Sequence, residues 1–512
     1  LIVIVTLIVI RFRVTNMIND GIVNLGVLKA LGYTTKQILA SITLQLMLIT
    51  LFSALIGASA STAFDPIFGQ MITSFTGLLS EQRFNVLAVV TSVLIVSGLV
   101  MLVVIMSAMR IRKLHPVTAL RGGLTTHSHK KNRLPLDKAK GGLQFKLACK
   151  SMFANSRQNL IILIIMIGIT FASVFSVVLY YNIAIDKTTF YHLIGVETNN
   201  VAVEAKSGTD SIKLKADIER MNGVDHTIFY DKSAGLVDDQ QYNMFVIDDY
   251  SKLENQLVFE GRFPQYDNEI ALSWVVSDMI HKGIGDTVFV QVGTTTQSML
   301  ITGLSSSISN GGDKAFYMTD AGMLKFDPDY RGSMINVYLS GVDNTAFIDA
   351  FKAQYGGLAD NVTDYDQNIE NQSSIYSSAM LVLMTIIIAI TVTVVCLILY
   401  LVISTMIIKR KKEFGIMKAT GYTTYQLMTQ IALSYVPVVI GGIVIGGVLG
   451  CLFTNSMLTM MLTGAGLHNV NFIVKIPVMA LLCVGLIVLA YAVSMLVARR
   501  IKNISAYGLI ME

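Results

Sequence analysis

Charge is what this chain has least of. Only 14% of its 512 residues are Asp, Glu, Lys or Arg, against 53% hydrophobic residues, a balance that excludes an ordinary soluble globule of this length. Cysteine is also scarce. Of the four, Cys396, Cys451 and Cys483 lie in apolar runs and Cys149 in a basic one. That pattern suggests no disulfide framework and says little about the redox compartment. Three chemical motifs are missing: G-x-x-x-x-G-K-[ST], H-E-x-x-H and G-x-S-x-G. Without the first, ATP binding in the P-loop manner is not expected of this chain. Leu1–Ile10 is apolar apart from Thr6, yet it is too short to span a membrane and has no basic stretch before it. A signal peptide is therefore not expected there.

What is present is a repeat. Gly26-Val27-Leu28-Lys29-Ala30-Leu31-Gly32-Tyr33-Thr34-Thr35-Lys36-Gln37 returns as Gly415-Ile416-Met417-Lys418-Ala419-Thr420-Gly421-Tyr422-Thr423-Thr424-Tyr425-Gln426, with eight of twelve positions identical and an offset of 389 residues. Self-similarity over such a distance makes the chain two related halves. Residue 1 maps onto position 390, inside the apolar run Met380–Ile408. By symmetry with the second half, the expectation is an N-terminal truncation, with a first membrane helix and a first soluble domain lying before residue 1.

Charge patterning divides the sequence further. Residues 187–378 hold 27 acidic and 13 basic residues, whereas the rest holds 7 acidic and 26 basic. An acidic soluble block thus sits inside a basic, apolar remainder. Membrane-sized runs are read at about 1–13, 38–64, 86–109, 159–181, 380–408, 427–453 and 476–498. Arg110–Arg157 carries 12 Lys+Arg and only Asp137 as an acid, which by the positive-inside rule places it in the cytoplasm. The block at 187–378 then lies outside, and Lys409-Arg410-Lys411-Lys412, both copies of the motif and the C-terminus lie inside. The basic loop has no aromatic interleaving, so nucleic acid is not an expected partner. His127 and His129 have no Cys or carboxylate nearby, and no metal site is expected.

The predicted fold class is a polytopic α-helical membrane protein with an inserted mixed α/β extracytoplasmic domain and an internal repeat of a membrane-helix unit. The domains are a first repeat over 1–120, a basic cytoplasmic linker over 121–158, a membrane span over 159–186, the outer domain over 187–378 and a second repeat over 379–512. Within the outer block, Val201–Ala205, Asp286–Val292 and Met334–Leu339 alternate in the manner of strands, and Ser211–Met221 and Asn344–Tyr355 have helical spacing. Two lobes would fit its length. The acidic pairs Asp238-Asp239 and Asp248-Asp249 are read as solvated faces, not as a cation site or a general acid/base pair.

The repeated string has the form of a short interfacial helix. Val27, Leu28 and Leu31 make an apolar stripe, and Lys29 and Lys36 would point to headgroups or a partner. Gly32 reads as a helix stop, and Thr34 or Thr35 as the cap of the next helix. Two near-identical elbows on one face favour docking over a simple chain reversal. In the penultimate span, Gly441-Gly442-Ile443-Val444-Ile445-Gly446-Gly447 would permit close helix packing, with Pro437 a kink; both are equally compatible with an ordinary membrane helix.

Lys411-Lys412-Glu413-Phe414-Gly415-Ile416-Met417-Lys418-Ala419-Thr420-Gly421, its counterpart Asn24–Gly32 and the helix order around each resemble the FtsX-like or MacB-type permeases, membrane subunits of a class of ABC transporters. Gly261-Arg262-Phe263-Pro264, Asn268–Ser273 and Gly283–Val288 are similar to phrases of that family's outer domain. The resemblance implies that Gly26, Val27, Leu28, Lys29, Gly32, Tyr33, Glu413, Gly415, Ile416, Met417, Lys418, Gly421 and Tyr422 belong to helices that seat in a separate ABC ATPase subunit, in two copies. The chain itself would hold no cofactor, ATP being bound by that partner, and would not be an enzyme. The implied setting is a multi-pass protein of the bacterial cell membrane that exports or extracts a peptide, antibiotic or lipidated substrate. An alternative within the same family is an FtsX-like regulator of a cell-wall hydrolase or sensor. A membrane enzyme with its chemistry in 187–378 is the third reading. Asn24 stands where the second copy has Glu413, which implies weaker docking of the first copy or a different partner.

Overall fold

Long apolar runs form helices because a backbone in hydrocarbon must satisfy its hydrogen bonds internally. The structure, a computed structural model, describes residues 2–76, 86–113, 156–307, 314–463 and 466–503. Most of the basic linker, with Cys149, His127 and His129, lies outside the described residues, as does the end of the connector read after residue 64.

The first half comprises α1 (Ile2–Asp20), α2 (Ile22–Ala30), α3 (Thr35–Thr76) and α4 (Val86–Ala108), which closes in a 3-10 turn over Met109–Lys113. Next come α5 (Ser156–Tyr180), a π turn over Tyr181–Ile185 and α6 (Thr188–Ile194). After the outer domain the pattern returns as α11 (Tyr365–Lys409), α12 (Lys411–Ala419), α13 (Thr424–Leu462) and α14 (Ile476–Ala498), again with a closing 3-10 turn over Arg499–Asn503. Among the described residues, six helical segments are long and apolar enough to cross a membrane: Thr35–Pro66, Val86–Ala108, Gln158–Ile185, Tyr365–Lys409, Thr424–Leu462 and Ile476–Lys502; α1, which holds the run read at 1–13, is not among them.

Three spans differ from the sequence reading. Arg11 and Arg13 do not end α1; Phe12 and Val14 are buried, and the helix runs to Asp20. Likewise, α3 continues through Pro66 to Thr76, past the end of the run read at 38–64. The helix α11 begins at Tyr365, well before 380, so the boundary at 378 falls inside it. Its first turns are polar and read as outer domain, but Asp364 caps them by accepting from the Gln367 amide at 3.0 Å, and the helix then continues unbroken.

The two halves repeat their packing. In each, the last helix lies against the first and third of its unit: α4 against α1 and α3, and α14 against α11 and α13. Helix α5 is the shared element, packing on α13, α11 and α1. One apolar core joins Ile162, Ile165 and Met166 of α5 to Val395, Leu399 and Val402 of α11 and to Leu427, Ile431 and Tyr435 of α13. A smaller one joins Val14, Ile18, Ile38, Val100 and Val104 in the first half. The glycine run of α13 decides the α5 contact. A Cβ on Gly442 would lie 2.5 Å from Met166 Cβ, one on Gly446 2.6 Å from the Ile167 carbonyl oxygen, and one on Gly450 2.7 Å from Val174 Cγ1. Close packing is therefore the role of that run, as small residues at four-residue spacing allow.

The outer domain is built on β1 (Val201–Ala205), α7 (Ser211–Glu219), β2 (Val224–Val237), β3 (Gln240–Ile247), β4 (Val258–Gly261), β5 (Glu269–Ser273), α8 (Trp274–Ile280), β6 (Thr287–Val292), β7 (Thr295–Ser305), β8 (Ala315–Thr319), α9 (Asp320–Met323), β9 (Met334–Leu339), α10 (Asn344–Tyr355) and β10 (Ala359–Asp364). Its strands run in the order β10-β1-β9-β2-β3-β8-β5-β7-β4, with β6 bridging β2 and β7. Three cores lie along this sheet among the described residues. One, around Val203, Leu214, Ile335 and Phe351, lies under α7 and α10; another is built around Met244, Ile270, Val288, Ile301 and Phe316; the third, around Ile228, Phe245, Tyr317 and Tyr338, spans both lobes. The long strand β2 belongs to both lobes.

Candidate functional site

The repeated string folds as two matching elbows. Helix α2 ends at Gly32, whose φ of 94° is open to glycine, and α12 ends at Gly421 with φ 95°. In the first elbow the Gly32 amide donates to the Lys29 carbonyl and the Tyr33 amide to the Leu28 carbonyl, both at 3.1 Å. In the second, the Gly421 amide donates to the Lys418 carbonyl at 3.1 Å and the Tyr422 amide to the Met417 carbonyl at 3.0 Å. These are Schellman closures. A capping box then starts the next helix. The Thr34 amide donates to Gln37 Oε1 at 2.9 Å and the Gln37 amide returns to Thr34 Oγ1 at 3.3 Å. Thr423 and Gln426 do the same at 3.0 and 3.2 Å. The repeated Gly, Thr and Gln at Gly32, Thr34 and Gln37 and at Gly421, Thr423 and Gln426 are thus explained by the turn itself.

Lys29 does not point to headgroups or a partner. Its Nζ donates to the Ile111 carbonyl at 2.7 Å, in the 3-10 turn that ends α4. Lys418 makes the same strap, donating to the Ile501 carbonyl at 2.8 Å at the end of α14. A cation on the unsatisfied carbonyls of a helix end is favourable twice over, as a hydrogen-bond donor and as a charge against the dipole. Each strap fixes its elbow to the last helix of its own repeat. The sequence held a sign of this: Arg110-Ile111-Arg112 and Arg500-Ile501-Lys502 end the two units alike.

The free faces of the elbows differ. Gly26 and Gly415 are turned inward and buried, as is Phe414. Outward on α2 are Val23, Asn24, Val27, Leu28 and Leu31, with Leu31 71% exposed. Outward on α12 are Lys411, Glu413 and Ile416, the last 65% exposed. Met417 and Tyr422 pack on the helical core, whereas Tyr33 is exposed. Glu413 already has a partner, because Arg410 Nε lies 2.7 Å from its Oε2. In the first copy both members are lost, Gly21 standing for Arg410 and Asn24 for Glu413. The apolar elbow and the charged elbow are therefore different surfaces on one scaffold.

Elbow α12 adjoins two elements that reach the outer domain. Helix α11 runs unbroken from Lys409 back to Tyr365, 45 residues, or about 67 Å at the α-helical rise. It enters the first lobe directly after β10. Helix α13 runs from the elbow to the loop before α14, and that loop holds the second lobe. Trp274 Nε1 donates to the Gly466 carbonyl at 2.6 Å, the His468 amide donates to Ser306 Oγ at 2.9 Å, and Phe259 stacks on His468 at 4.4 Å between centroids. Asn182 of the π turn grips the same loop, donating to the Ile473 carbonyl at 2.9 Å and accepting from its amide at 2.8 Å. Sequence reasoning missed this latch. Trp274, the sole tryptophan, was its one visible sign.

The other singled-out residues of the outer domain have structural duties. Asp238 and Asp239, at φ 47° and 66°, form the β2–β3 turn, and Asp238 accepts from Lys282 Nζ at 2.8 Å. Asp248 pairs with Lys215 and accepts from the Phe229 amide, and Asp249 caps the short turn at Tyr250. Arg262 holds buried Glu269 with two hydrogen bonds of 2.7 and 2.6 Å. That guanidinium, with the amides of Gln265 and Tyr266, lowers the Glu269 carboxyl to about 2. Among the described residues, no three His, Cys, Asp or Glu side chains are placed to hold a metal ion.

A helical unit repeated around a shared span, with an α/β domain inserted between α5 and α11, defines a multi-pass membrane protein that carries an extramembrane domain. Residues 1–116 and 385–505 match the family model of the FtsX-like permease C-terminal domain. The chain carries two FtsX-like permease domains. Its inserted domain is similar to the periplasmic region of MacB from Actinobacillus actinomycetemcomitans, with 17% identity and a TM-score of 0.27 over 35% of this chain and 95% of that one. It is also similar to the extracellular domain of the noncanonic ABC-type transporter YknZ from Gram-positive bacteria, with 13% identity and a TM-score of 0.24 over 31% of this chain and 94% of that one. No curated protein matches the chain.

Proposed function

We propose that this chain is the permease subunit of an ABC transporter, with α2 and α12 as the elements that dock a separate ATPase subunit present in two copies. The observation that carries the reading is the pair of strapped elbows. A helix closed at one end by a Schellman turn, capped into the next span and tied by lysine to a third helix moves as one body with its repeat. Pushing on such an elbow displaces spans instead of bending a loop. The basic residues around both elbows support a cytoplasmic position for them and for the C-terminus by the positive-inside rule, with the inserted domain outside.

Force applied at α12 has two routes outward. One is α11, which feeds the first lobe; the other is α13 and its distal loop, which hold the second lobe at Trp274 and Ser306. Different displacements of these two supports would load the join between the lobes, which β2 and the buried cluster around Ile228, Phe245, Tyr317 and Tyr338 bridge. This motion would act on a peptide, antibiotic or lipidated substrate at the outer leaflet without passing it between the helices.

The test is co-purification of the full-length protein with its ATPase, repeated with Glu413→Lys and Gly415→Pro. Membrane insertion should be preserved and ATPase association or coupling lost. Normal ATPase binding in both variants would refute the docking role. Stimulation of ATP turnover by a candidate substrate then separates transport from regulation of an outer partner.

A further inference from the structure

One buried amide of the outer domain has no partner. Along β9, Ile335 and Val337 face the core under α7 and α10, so Met334, Asn336 and Tyr338 face the other way. Asn336 is only 5% exposed, yet its side chain makes no hydrogen bond among the described residues. An amide so placed is costly unless something completes it. It lines a cleft of about 390 Å³, within the size range of ligand sites.

The cleft is built in advance. In register, Asn336 lies between Ala202 and Ile228, and Ala202 lies beside Thr363. The small side chain of Ala202 leaves the space beside the amide open. Two residues along β1, Glu204 sits between Asn361 and Met334 and is exposed. The segment Gly195–Glu197 forms a wall, and its position is fixed. Buried Glu197 accepts from the Tyr338 hydroxyl at 2.8 Å and from the Glu254 amide at 2.7 Å, while Asn255 Nδ2 donates to the Val196 carbonyl at 2.9 Å. Tyr365 and Asn368, in the first turn of α11, complete the lining with Tyr230 and Phe245.

We infer that this cleft binds a short extended peptide segment bearing a cationic side chain, with Asn336 as the anchor for its main chain. A side-chain amide offers donors and an acceptor in one plane, the complement of a peptide unit. From β10 to β2 the floor spans three strand spacings of about 4.8 Å, room for about four extended residues at about 3.3 Å each. Glu204 supplies the charge, because Glu197 is already occupied by its donors. Met334 and the aromatic rings receive apolar side chains of the same segment. An oligosaccharide fits less well, since the Phe245 ring is already covered by Lys232 and stacked on Tyr317. The role of this peptide as cargo rests on the transport reading, but its binding is measured without an ATPase.

The test incubates the purified full-length protein with an equimolar mixture of acetylated tetrapeptide amides. These carry Lys, Gln or Glu at the second position and Ala, Leu or Phe at the others. Peptides retained through gel filtration are identified by mass spectrometry. The Lys set should be retained about tenfold over the Gln set, and Glu204→Gln should bring that ratio to about one. Asn336→Leu should lower retention of every set about tenfold while melting at or above wild type, because it removes an unpaired amide. Ala202→Leu, which fills the floor, should lower retention alike and decides the matter if Asn336→Leu does not fold. Retention unchanged in these two variants, no retention by wild type, or retention of chitotriose in place of peptide would each overturn the inference. Such a failure leaves ATPase docking untouched, and a failure of docking leaves peptide retention untouched.

Discussion

A methyl group at Gly446 is the smallest change that should separate α13 from α5. Built on the backbone, it would lie 2.6 Å from the Ile167 carbonyl oxygen, 3.0 Å from Ile167 Cα and 3.0 Å from Thr170 Cβ. Ordinary contact begins near 3.4 Å, so the helices must part by several tenths of an ångström. Two of the three obstacles are backbone, and no rotamer change relieves them. Overpacking of this kind costs about 1–3 kcal/mol, offset in part by the better helix propensity of Ala, about 1 kcal/mol. Gly485→Ala in α14 is the control, since nothing lies within 4 Å of its Cβ and only the propensity gain applies. Thermal unfolding of the detergent-solubilised protein should show Gly446→Ala below wild type and Gly485→Ala at or above it. Equal melting of the two variants would refute the close-packing argument.

Lys418→Met should release α12 from the end of α14 and cost about 1.5–3 kcal/mol, the worth of a hydrogen bond from a charged donor, seen as faster protease cleavage near Arg499; unchanged cleavage would sink the strap. Glu269→Gln removes a carboxylate whose folded value is depressed to about 2, so its contribution is present above the ordinary value of 4.5 and is lost as pH falls toward 2. With Arg262 41% exposed, screening brings that contribution to about 2 kcal/mol, and the variant should melt earlier at neutral pH with a flatter acid limb. Trp274→Ala should leave ATPase association intact while weakening the hold of the second lobe on the α13–α14 loop, read as increased labelling of a cysteine placed at His468; unaltered labelling would contradict the latch.

The halves of the fold that depend on local pattern were legible. The strands at Val201–Ala205 and Met334–Leu339 and the helix at Asn344–Tyr355 carry their own periodicity, and the last span at Ile476–Ala498 is bounded by lysine and arginine. Elements that continue past a change in composition were not. Helix α11 crosses from polar to apolar residues at about Ser378, so hydropathy marks a boundary where the backbone has none. The apolar run read at 38–64 likewise ends where hydropathy falls, yet α3 continues to Thr76. In the elbows, the glycine stop and threonine cap were readable because their signals are local. The direction of Lys29 was not, because its acceptor at Ile111 lies 82 residues away. The Trp274–Gly466 bond spans 192 residues and had no spacing to reveal it.

The central claim is that the outward faces of α2 and α12 meet a separate ATPase. Single cysteines at Leu31 and Ile416, the most exposed apolar positions of the two elbows, can be cross-linked in the assembled complex, with a cysteine at buried Phe414 as control. The account predicts cross-links to the ATPase subunit from both exposed positions and none from position 414. An intact complex in which neither Leu31 nor Ile416 reaches the ATPase would contradict it.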